Sequence, residues 1–232
     1  MRNISIKNLT IDFPIFGVKS RSLKNKFIQS ISGGSIFSEN DNLTIRALDN
    51  INLDFEEGDR VALVGHNGSG KSTLLRAIAG IYEPSNGTVK VNGSIVTLLD
   101  IFLGMDDDAT GYENIIARGL VMGKTVKEMT SLVHDIVIFS GIGNFVNMPM
   151  RTYSSGMAIR LAFATSTCFD ADIVLMDEWL SVGDKDFQLK SIARLSKFIK
   201  KAKIVIVASH DESFIRKFSN KTINLEHGKV IY

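Results

Sequence analysis

The sequence predicts an α/β fold with a parallel-sheet core, an antiparallel β edge and an inserted helical subdomain. Three observations support this prediction. Segments near both ends alternate polar and apolar residues with the period of a strand, short apolar runs between them are typical of buried strands, and residues 100–164 show mostly helical spacing. The order of strands and helices is therefore that of an α/β protein built around a parallel sheet.

The first half of the chain supplies most of the predicted strands. ISIKNLTIDF and ALDNINLDF alternate with period two and predict antiparallel strands, and RVALVG predicts a buried strand that leads into a glycine-rich stretch. KSTLLRAIAGI has apolar residues at helical spacing. GTVKVNGSIVTLL then predicts a hairpin with Asn92 and Gly93 at its turn.

The second half begins with helices and returns to strands. VKEMTSLVHDIVIFSGI is the clearest amphipathic stretch, and DIVLMDE, AKIVIVASH and KTINLEHGKVIY are strand-like. We therefore predict three regions: an antiparallel β subdomain with the first part of the core over 1–99, a helical subdomain over 100–164, and the rest of the core over 165–232.

Composition narrows the class of protein. The 232 residues are 44% hydrophobic and 22% charged, as in an ordinary folded domain, and a net charge of +2 does not indicate a nucleic-acid partner. The single cysteine, Cys168, excludes an internal disulfide, as expected in a reducing compartment. The start MRNISIKNLTIDF lacks the apolar block of a signal peptide, and no run of about 20 apolar residues is present. We expect the protein to stay inside the cell.

The most specific signal is GHNGSGKST, which we call the glycine loop. It fits G-x-x-x-x-G-K-[ST] between a predicted strand and a predicted helix, and this context disfavours a glycine turn with a chance lysine. Glycines let the backbone fold around phosphates, amides at the helix start donate to phosphate oxygens, Lys71 adds a cation, and the Ser72 hydroxyl can bind magnesium. The loop therefore predicts binding of ATP or GTP with Mg²⁺ through Gly65, His66, Asn67, Gly68, Ser69, Gly70, Lys71, Ser72 and Thr73.

Acidic and basic residues follow two later strands. IVLMDE places Asp177 at the end of a buried strand, where magnesium binds in such folds, and Glu178 next to it, where it can orient or deprotonate an attacking water. Alone, this pair would indicate a solvated loop, but together with the glycine loop it predicts a catalytic site. His210 ends the strand KIVIVAS and is predicted to contact the γ phosphate.

A second helix start in TYSSGMAIRLAFA is also suited to an anion. One nucleotide does not need two phosphate sites on one chain, so this start can serve a nucleotide bound to another copy. We therefore predict a head-to-tail homodimer with two ATP molecules between the protomers, each held by Lys71 of one copy and by Ser154, Ser155 and Gly156 of the other. The alternative is an ordinary serine N-cap on a helix.

Together these motifs resemble the nucleotide-binding subunits of ABC transporters over essentially the whole chain. GHNGSGKST is similar to their Walker A loop, YSSGM to a variant of the signature sequence and IVLMDE to Walker B with its glutamate. SVGD, from Ser181 to Asp184, resembles the D-loop. His210, in the dipeptide SH, resembles the switch histidine. The resemblance implies a P-loop NTPase of ABC type with a RecA-like core, ATP hydrolysis, and catalytic roles for Glu178 and His210.

A narrower resemblance concerns the cargo. MRTYSSGMAIRLAFA, DEWLSVGDKDFQLK and LLDIFLGMDDDATGYENI are similar to ATPase subunits that export lipid-linked polysaccharides, such as O-antigen, capsule or teichoic acid. This resemblance implies a peripheral protein on the cytoplasmic face of the inner membrane, which works with two copies of a polytopic membrane subunit. The implied cargo is a lipid-linked glycan, and O-antigen is the first candidate. The alternatives are the ATPase of an importer for a small solute and an ABC ATPase outside transport.

Two positions depart from the family pattern. The family usually has a glutamine where the helical subdomain begins. The nearest position in this sequence is Asp100, which is either a magnesium ligand or an exposed helix-start residue. Residues 14–45 interrupt the first strands and contain Lys19, Arg21, Lys24 and Lys26. This segment is either a solvated loop with a short helix or a basic amphipathic segment that binds anionic head groups.

Two further expectations come from the ends of the fold. Phe13, at the end of the first strand, is our candidate for stacking on adenine. The chain stops at LEHGKVIY, without the C-terminal carbohydrate-binding domain of some polysaccharide exporters. We therefore expect export coupled to synthesis, without recognition of a terminal cap on the glycan.

Overall fold

Two compact units make up the chain in the computed structural model, which describes residues 1–15, 35–39, 42–177, 185–209, 215–216 and 218–231. The first unit consists of Met1–Gly93, Leu175–Glu178 and Lys203–Tyr232. The second consists of Ser94–Val174 and Trp179–Ala202. In the order of the chain, the second unit is thus inserted into the first at two places, after Gly93 and after Glu178.

An antiparallel sheet forms one part of the first unit. Strand β1 (Asn3–Ile15) lies between β3 (Asn42–Glu56) and β5 (Asn86–Asn92), and β2 (Ser35–Glu39) pairs with the outer edge of β3. Ile6 is opposite Leu53 on one side. Alternate residues of β1, such as Ile4 and Ile6, are buried, which explains the period-two pattern in the sequence.

A parallel sheet forms the other part of the first unit. Strand β4 (Arg60–Val64) pairs in parallel with both β8 (Ile204–Ala208) and β9 (Lys221–Glu226), and β10 (Lys229–Ile231) closes the edge as an antiparallel neighbour of β9. Every residue of β8 is buried. Burial on both faces of a parallel sheet requires an unbroken apolar run, and IVIVA supplies it.

One helix and one further strand complete the core around the nucleotide motifs. Helix α1 (Lys71–Ile78) follows β4, and its buried residues include Leu74 and Leu75. Strand β7 (Ile173–Asp177) lies beside β8 in the sheet. One strand, β8, therefore separates the strand that leads into the glycine loop from the strand that ends in Asp177.

The second unit is mainly helical. Its elements are β6 (Ile95–Leu98), which lies next to β7, and the helices α2 (Gly111–Val121), α3 (Val126–Ser140), α4 (Ser155–Ser166) and α5 (Lys185–Lys201). Short 3-10 turns at Gly143–Asn147 and Met150–Thr152 lead into α4. One cluster of its buried apolar residues includes Ile115 from α2, Met129 and Ile136 from α3, and Leu161 and Ala164 from α4.

Local sequence explains where these helices start and how closely they pack. Thr110 and Glu113 form a capping box at the start of α2, and Thr125 and Glu128 form another at the start of α3. Gly119 on α2 packs against the side chain of Met129 on α3, and a Cβ at this glycine would overlap with it. The small residue therefore allows the two helices to approach each other.

The predicted hairpin over GTVKVNGSIVTLL is wrong. β5 belongs to the antiparallel sheet, whereas β6 belongs to the other sheet. The chain changes sheets because Ser94 is held by distant residues: its N–H and hydroxyl donate to Asp172 at 2.9 and 3.0 Å, and the N–H of Ile173 donates to its carbonyl at 2.9 Å. The Asn92–Gly93 pair therefore marks the exit from one sheet rather than a two-stranded turn.

The segment 14–45 is only partly described. The structure shows β1 continuing to Ile15, the short strand β2 and the start of β3 at Asn42, so strands occupy part of a stretch that we predicted as a loop with a short helix. The four basic residues Lys19, Arg21, Lys24 and Lys26 lie outside the described residues. Within the described ranges, no helix has the length and apolar content needed to cross a membrane.

Candidate nucleotide-binding site

The glycine loop connects β4 to α1 and leaves backbone amides at the start of that helix. Gly70 is the N-cap residue, with φ at +107°, and no side chain caps the helix. The first amides of a helix have no partner inside the helix, and they carry the positive end of its dipole. An uncapped start behind a glycine-rich turn therefore suits a phosphate group, which would accept from these amides.

Close packing explains the first glycine of the loop. A Cβ on Gly65 would overlap with the carbonyl oxygen of Leu225 and lie 2.5 Å from the hydroxyl of Ser69. Ser69 is fully buried, and its hydroxyl oxygen has no hydrogen-bond partner in the described part of the chain. A buried hydroxyl inside a phosphate-sized loop fits a site that is completed by a ligand.

Lys71 provides the cation of the loop. Its side chain is only 7% exposed, and its ammonium donates to the carbonyl oxygens of Gly65 at 2.6 Å and of His66 at 3.0 Å. His66, Asn67 and Gly68 are exposed at the tip of the loop. Two carbonyls of the loop therefore hold the ammonium beside the uncapped helix start.

The turn between β9 and β10 supports the same loop, and sequence reasoning did not find it. Gly228, with φ at +78°, donates its N–H to the carbonyl oxygen of Ser69 at 3.0 Å and accepts from the N–H of Asp49 at 2.9 Å. The ring of His227 lies 5.0 Å from that of His66. The only signal in the sequence is a glycine in the strand-like segment KTINLEHGKVIY, which is too common a feature to indicate a phosphate site.

Phe13 contacts a second aromatic residue. Its ring meets that of Tyr82 edge to face, with centroids 5.2 Å apart, and the guanidinium of Arg76 lies 5.9 Å from the centre of the Tyr82 ring. Arg76 is in the last turn of α1, the helix that starts at the glycine loop. Tyr82 was missed from sequence, because an aromatic residue in a short loop has no distinguishing pattern.

Oxygen ligands for magnesium are available in the first unit. Ser72 is in the first turn of α1, and Asp177 is the last residue of β7 and half-buried. A hydroxyl and a carboxylate are hard donors of the kind that Mg²⁺ prefers, and Mg²⁺ usually takes only one or two protein ligands beside phosphates and waters. These residues fit the ion, and the described ranges contain no group of three or more histidine, cysteine, aspartate or glutamate side chains that could hold a metal ion by themselves.

The start of α4 is an exposed, regular N-terminus. Ser154 is its N-cap, and the Ser154 hydroxyl accepts from the N–H of Met157 at 3.2 Å. Ser154 and Ser155 are both exposed. A Cβ on Gly156 would approach only the Ser154 hydroxyl, at 3.9 Å. Ser154 is therefore an N-cap, as the alternative predicts, and the contact of Ser154, Ser155 and Gly156 with the partner's nucleotide stays a prediction.

Asp100 opens a turn in the second unit. Its carboxylate accepts from the N–H of Phe102 at 3.0 Å, and its carbonyl accepts from the N–H of Leu103 at 3.3 Å. The carboxylate is exposed, and it begins a turn rather than a helix. Its role as a magnesium ligand stays a prediction.

An exposed apolar patch follows this turn. Phe102 and Leu103 in the loop are each 40% exposed, and Leu120 and Val121 at the end of α2 are 49% and 54% exposed. Gly104 packs against the Val121 side chain, which brings the loop onto the end of the helix. Contiguous apolar side chains at the surface commonly mark a site of protein interaction. We refer to these four residues as the apolar patch.

Four of the predicted site residues lie outside the described residues. They are Glu178, Ser181, Asp184 and His210, which carry the catalytic and D-loop predictions. Their roles stay predictions. The structure describes the glycine loop with Lys71 and Ser72 and the strand end at Asp177 in the first unit, and it describes the helix start at Ser154 in the second unit.

Comparisons with known proteins show the family of the chain. The family model described as ABC transporter matches residues 48–181. The chain is 42% identical over 231 residues to the O-antigen export system ATP-binding protein RfbE of Yersinia enterocolitica, covering 99% of this chain and 97% of that protein. It is 37% identical over 227 residues to the teichoic acids export ATP-binding protein TagH of Bacillus anthracis, covering 98% of this chain but only 40% of that protein.

A solved structure supports the fold. The dimeric ATP-binding cassette MJ0796, in a post-hydrolysis state bound to ADP and Pi, is similar to this chain with a TM-score of 0.69 and 22% sequence identity. The similarity covers 99% of this chain and 97% of that one. The predicted fold class is confirmed.

Proposed function

The chain belongs to the ABC transporter family and is an ATP-hydrolysing cassette of that family, and from this premise we propose that it powers the export of a lipid-linked polysaccharide. The 42% identity to an O-antigen export ATP-binding protein over 99% of the chain carries this proposal. The teichoic acids export protein supports the same class of cargo. We propose O-antigen as the cargo, because the O-antigen relative aligns over nearly its whole length.

The described residues suit the binding of MgATP. The uncapped start of α1 and the buried Lys71 would hold the phosphates. Ser72 and Asp177 would hold Mg²⁺, which neutralises charge on the transferred phosphate, and we propose Asp100 as a further ligand.

Phe13 would contact adenine together with Tyr82, the ring beside it. Glu178 would orient or deprotonate the attacking water, and His210 would contact the γ phosphate.

We propose a head-to-tail homodimer as the working unit. Ser155 and Gly156 present amides at an exposed helix start, and these would donate to the γ phosphate of a nucleotide held by Lys71 of the partner copy. Each nucleotide would then join two protomers, so ATP binding closes the dimer and hydrolysis opens it. Ser181 and Asp184 of the D-loop would lie at the same joint. The dimeric state of MJ0796 supports the proposal of a dimer.

The apolar patch is the proposed contact with a membrane subunit. An exporter needs a pathway through the membrane, and the described part of this chain has no helix able to cross it. Four exposed apolar side chains on one unit would be covered by such a subunit, of which two copies would accompany the homodimer. We therefore place the protein as a peripheral subunit on the cytoplasmic face of the inner membrane.

The test of the proposed function is genetic and chemical. Glu178→Gln would replace the native protein in cells, and lipid-linked glycan would be measured on each side of the inner membrane. If Glu178 orients or deprotonates the attacking water, the variant should bind ATP without hydrolysing it. We then expect glycan to accumulate on the cytoplasmic side and surface polysaccharide to disappear.

The matched control is Glu56→Gln, an exposed glutamate at the end of β3. We expect it to leave the glycan profile unchanged. An unchanged profile in the Glu178→Gln cells would overturn the polysaccharide proposal and lead to tests of small-solute uptake.

A further inference from the structure

A fully buried arginine lies in the second unit. Arg118, on α2, is 0% exposed and is among the largest fully buried side chains. Arginine is almost never fully buried without partners, because removing its charge from water is costly. The spacing of polar and apolar residues around Arg118 does not predict its burial.

The guanidinium of Arg118 joins three separate segments. Nη1 donates to the carbonyl oxygen of Leu103 at 2.7 Å, Nη2 to that of Thr97 at 3.4 Å, and Nε to the hydroxyl of Ser166 at 3.3 Å. Burial lowers the pKa of Arg118, and the charge of Asp100 opposes this effect. An arginine remains protonated in proteins, so the donors stay available.

These three segments have different roles in the proposed function. Leu103 belongs to the apolar patch, and Thr97 is in β6, just before the turn that Asp100 opens. Ser166 is the last residue of α4, whose first residues are Ser155 and Gly156. A single side chain therefore connects the proposed contact with the membrane subunit to the helix that would meet the partner's nucleotide.

We propose that Arg118 is a positioning residue that couples the membrane subunit to the signature helix α4. The inference rests on the proposed function, because it assumes that a membrane subunit covers the apolar patch. When the loop at Leu103 moves with that subunit, the guanidinium moves the end of α4 with it. A twelve-residue helix is a stiff element, so a shift at Ser166 reaches Ser155 and Gly156.

The experiment measures how strongly the membrane subunit stimulates ATP hydrolysis. The cassette and the membrane subunit are reconstituted together in lipid nanodiscs, and the rate is divided by that of the cassette alone. Arg118→Lys keeps the charge but cannot reach three acceptors with one planar fork. We expect the stimulation to fall about five- to tenfold, with MgATP affinity within about twofold of the native value.

Arg194→Lys is the matched control. Arg194 is another partly buried arginine at the same end of α4: it donates to the carbonyls of Thr167 at 3.2 Å and Ala164 at 3.4 Å and stacks on Phe139 at 4.1 Å. Those bonds do not reach the loop at Leu103. We expect Arg194→Lys to lower the melting temperature while keeping the stimulation.

Two results would overturn the inference. One is full stimulation in folded Arg118→Lys, and the other is an equal loss in Arg194→Lys, which would show a general softening of the helical unit. If Arg118→Lys does not fold, Ser166→Ala removes only the acceptor on α4. A reduced stimulation in that variant supports the inference, and native stimulation overturns it.

A transport assay in vesicles, run beside the nanodisc assay, separates this inference from the proposed cargo. Stimulation by the membrane subunit requires no glycan. A stimulated native complex that moves no lipid-linked glycan in vesicles would refute the polysaccharide proposal while leaving the role of Arg118 in place.

Discussion

The backbone N–H of Gly228 donates to the carbonyl oxygen of Ser69 at 3.0 Å, so the turn between β9 and β10 supports the glycine loop. A Cβ at Gly228 would lie 2.6 Å from the carbonyl oxygen of Ala47, at a φ of +78°. We expect Gly228→Ala to lower the free energy of unfolding by about 1–3 kcal/mol and to weaken ATP binding, because both strain and overlap displace the turn. Urea unfolding and titration with a fluorescent ATP analogue measure the two effects.

Gly80→Ala controls for backbone strain alone. Gly80 has a similar φ of +73°, but a Cβ there would meet no atom within 4 Å. We expect a loss of about 1 kcal/mol and native ATP affinity. Equal ATP affinities in the two variants would show that the turn does not support the loop.

Gly156→Asp tests the proposed dimer contact. Within one copy the site has room for a side chain, and a carboxylate in the first turn favours the helix dipole, so the variant should fold and bind ATP normally. In the dimer the carboxylate would face the partner's γ phosphate. We expect ATP-induced dimerisation and hydrolysis to fall by at least about tenfold in light-scattering and phosphate-release assays.

Lys71→Ala, unlike Gly156→Asp, should weaken the binding of ATP to a single copy of the chain. It removes the cation that is held by the carbonyls of Gly65 and His66, so ATP affinity itself should be lost. If Gly156→Asp also lost ATP affinity in the monomer, the helix start would serve the nucleotide of its own copy, and the head-to-tail arrangement would be wrong.

Phe102→Ser tests the apolar patch. The side chain is 40% exposed, so removing it should change stability little, but a partner that covers it would lose apolar area. We expect co-purification with the membrane subunit to fall by about tenfold. Ile138→Ser, at a 65% exposed position on α3, is the control and should co-purify normally.

Glu128→Gln should change the acid dependence of stability. The N–H and the hydroxyl of Thr125 donate to the carboxylate and hold the pKa of Glu128 below its usual value. A carboxyl whose pKa is lowered by folding stabilises the protein above its unfolded pKa, about 4.3, and this contribution is lost as the pH falls through the folded pKa. We therefore expect native protein and variant to differ in urea unfolding at pH 7 and to converge as the pH falls through the lowered pKa of Glu128.

Much of the fold follows from local sequence. IVIVA predicts a strand buried on both faces, and the glycine loop predicts the strand, turn and helix that the structure shows at β4 and α1. The capping residues Thr110 and Thr125 start two helices where their side chains suggest. These features depend on residues close together in the chain, so a single sequence contains the needed information.

Other features depend on distant residues and could not be predicted. Asn92–Gly93 has the form of a hairpin turn, but the bonds of Ser94 to Asp172 direct the next strand into another sheet. The support of the glycine loop by Gly228 joins residues far apart in the chain. An arginine on a helix is usually a surface residue. The burial of Arg118 is explained only by the approach of α4 and of the loop at Leu103.

The bonds between Ser94 and Asp172 also set an order of events during synthesis. The two residues are 78 positions apart, so strand β6 leaves the ribosome long before β7 can lie beside it. At about 5–20 residues per second, the wait lasts roughly 4–16 s. Throughout this interval the growing chain carries an unpaired strand edge, the kind of surface at which nascent chains aggregate and chaperones bind.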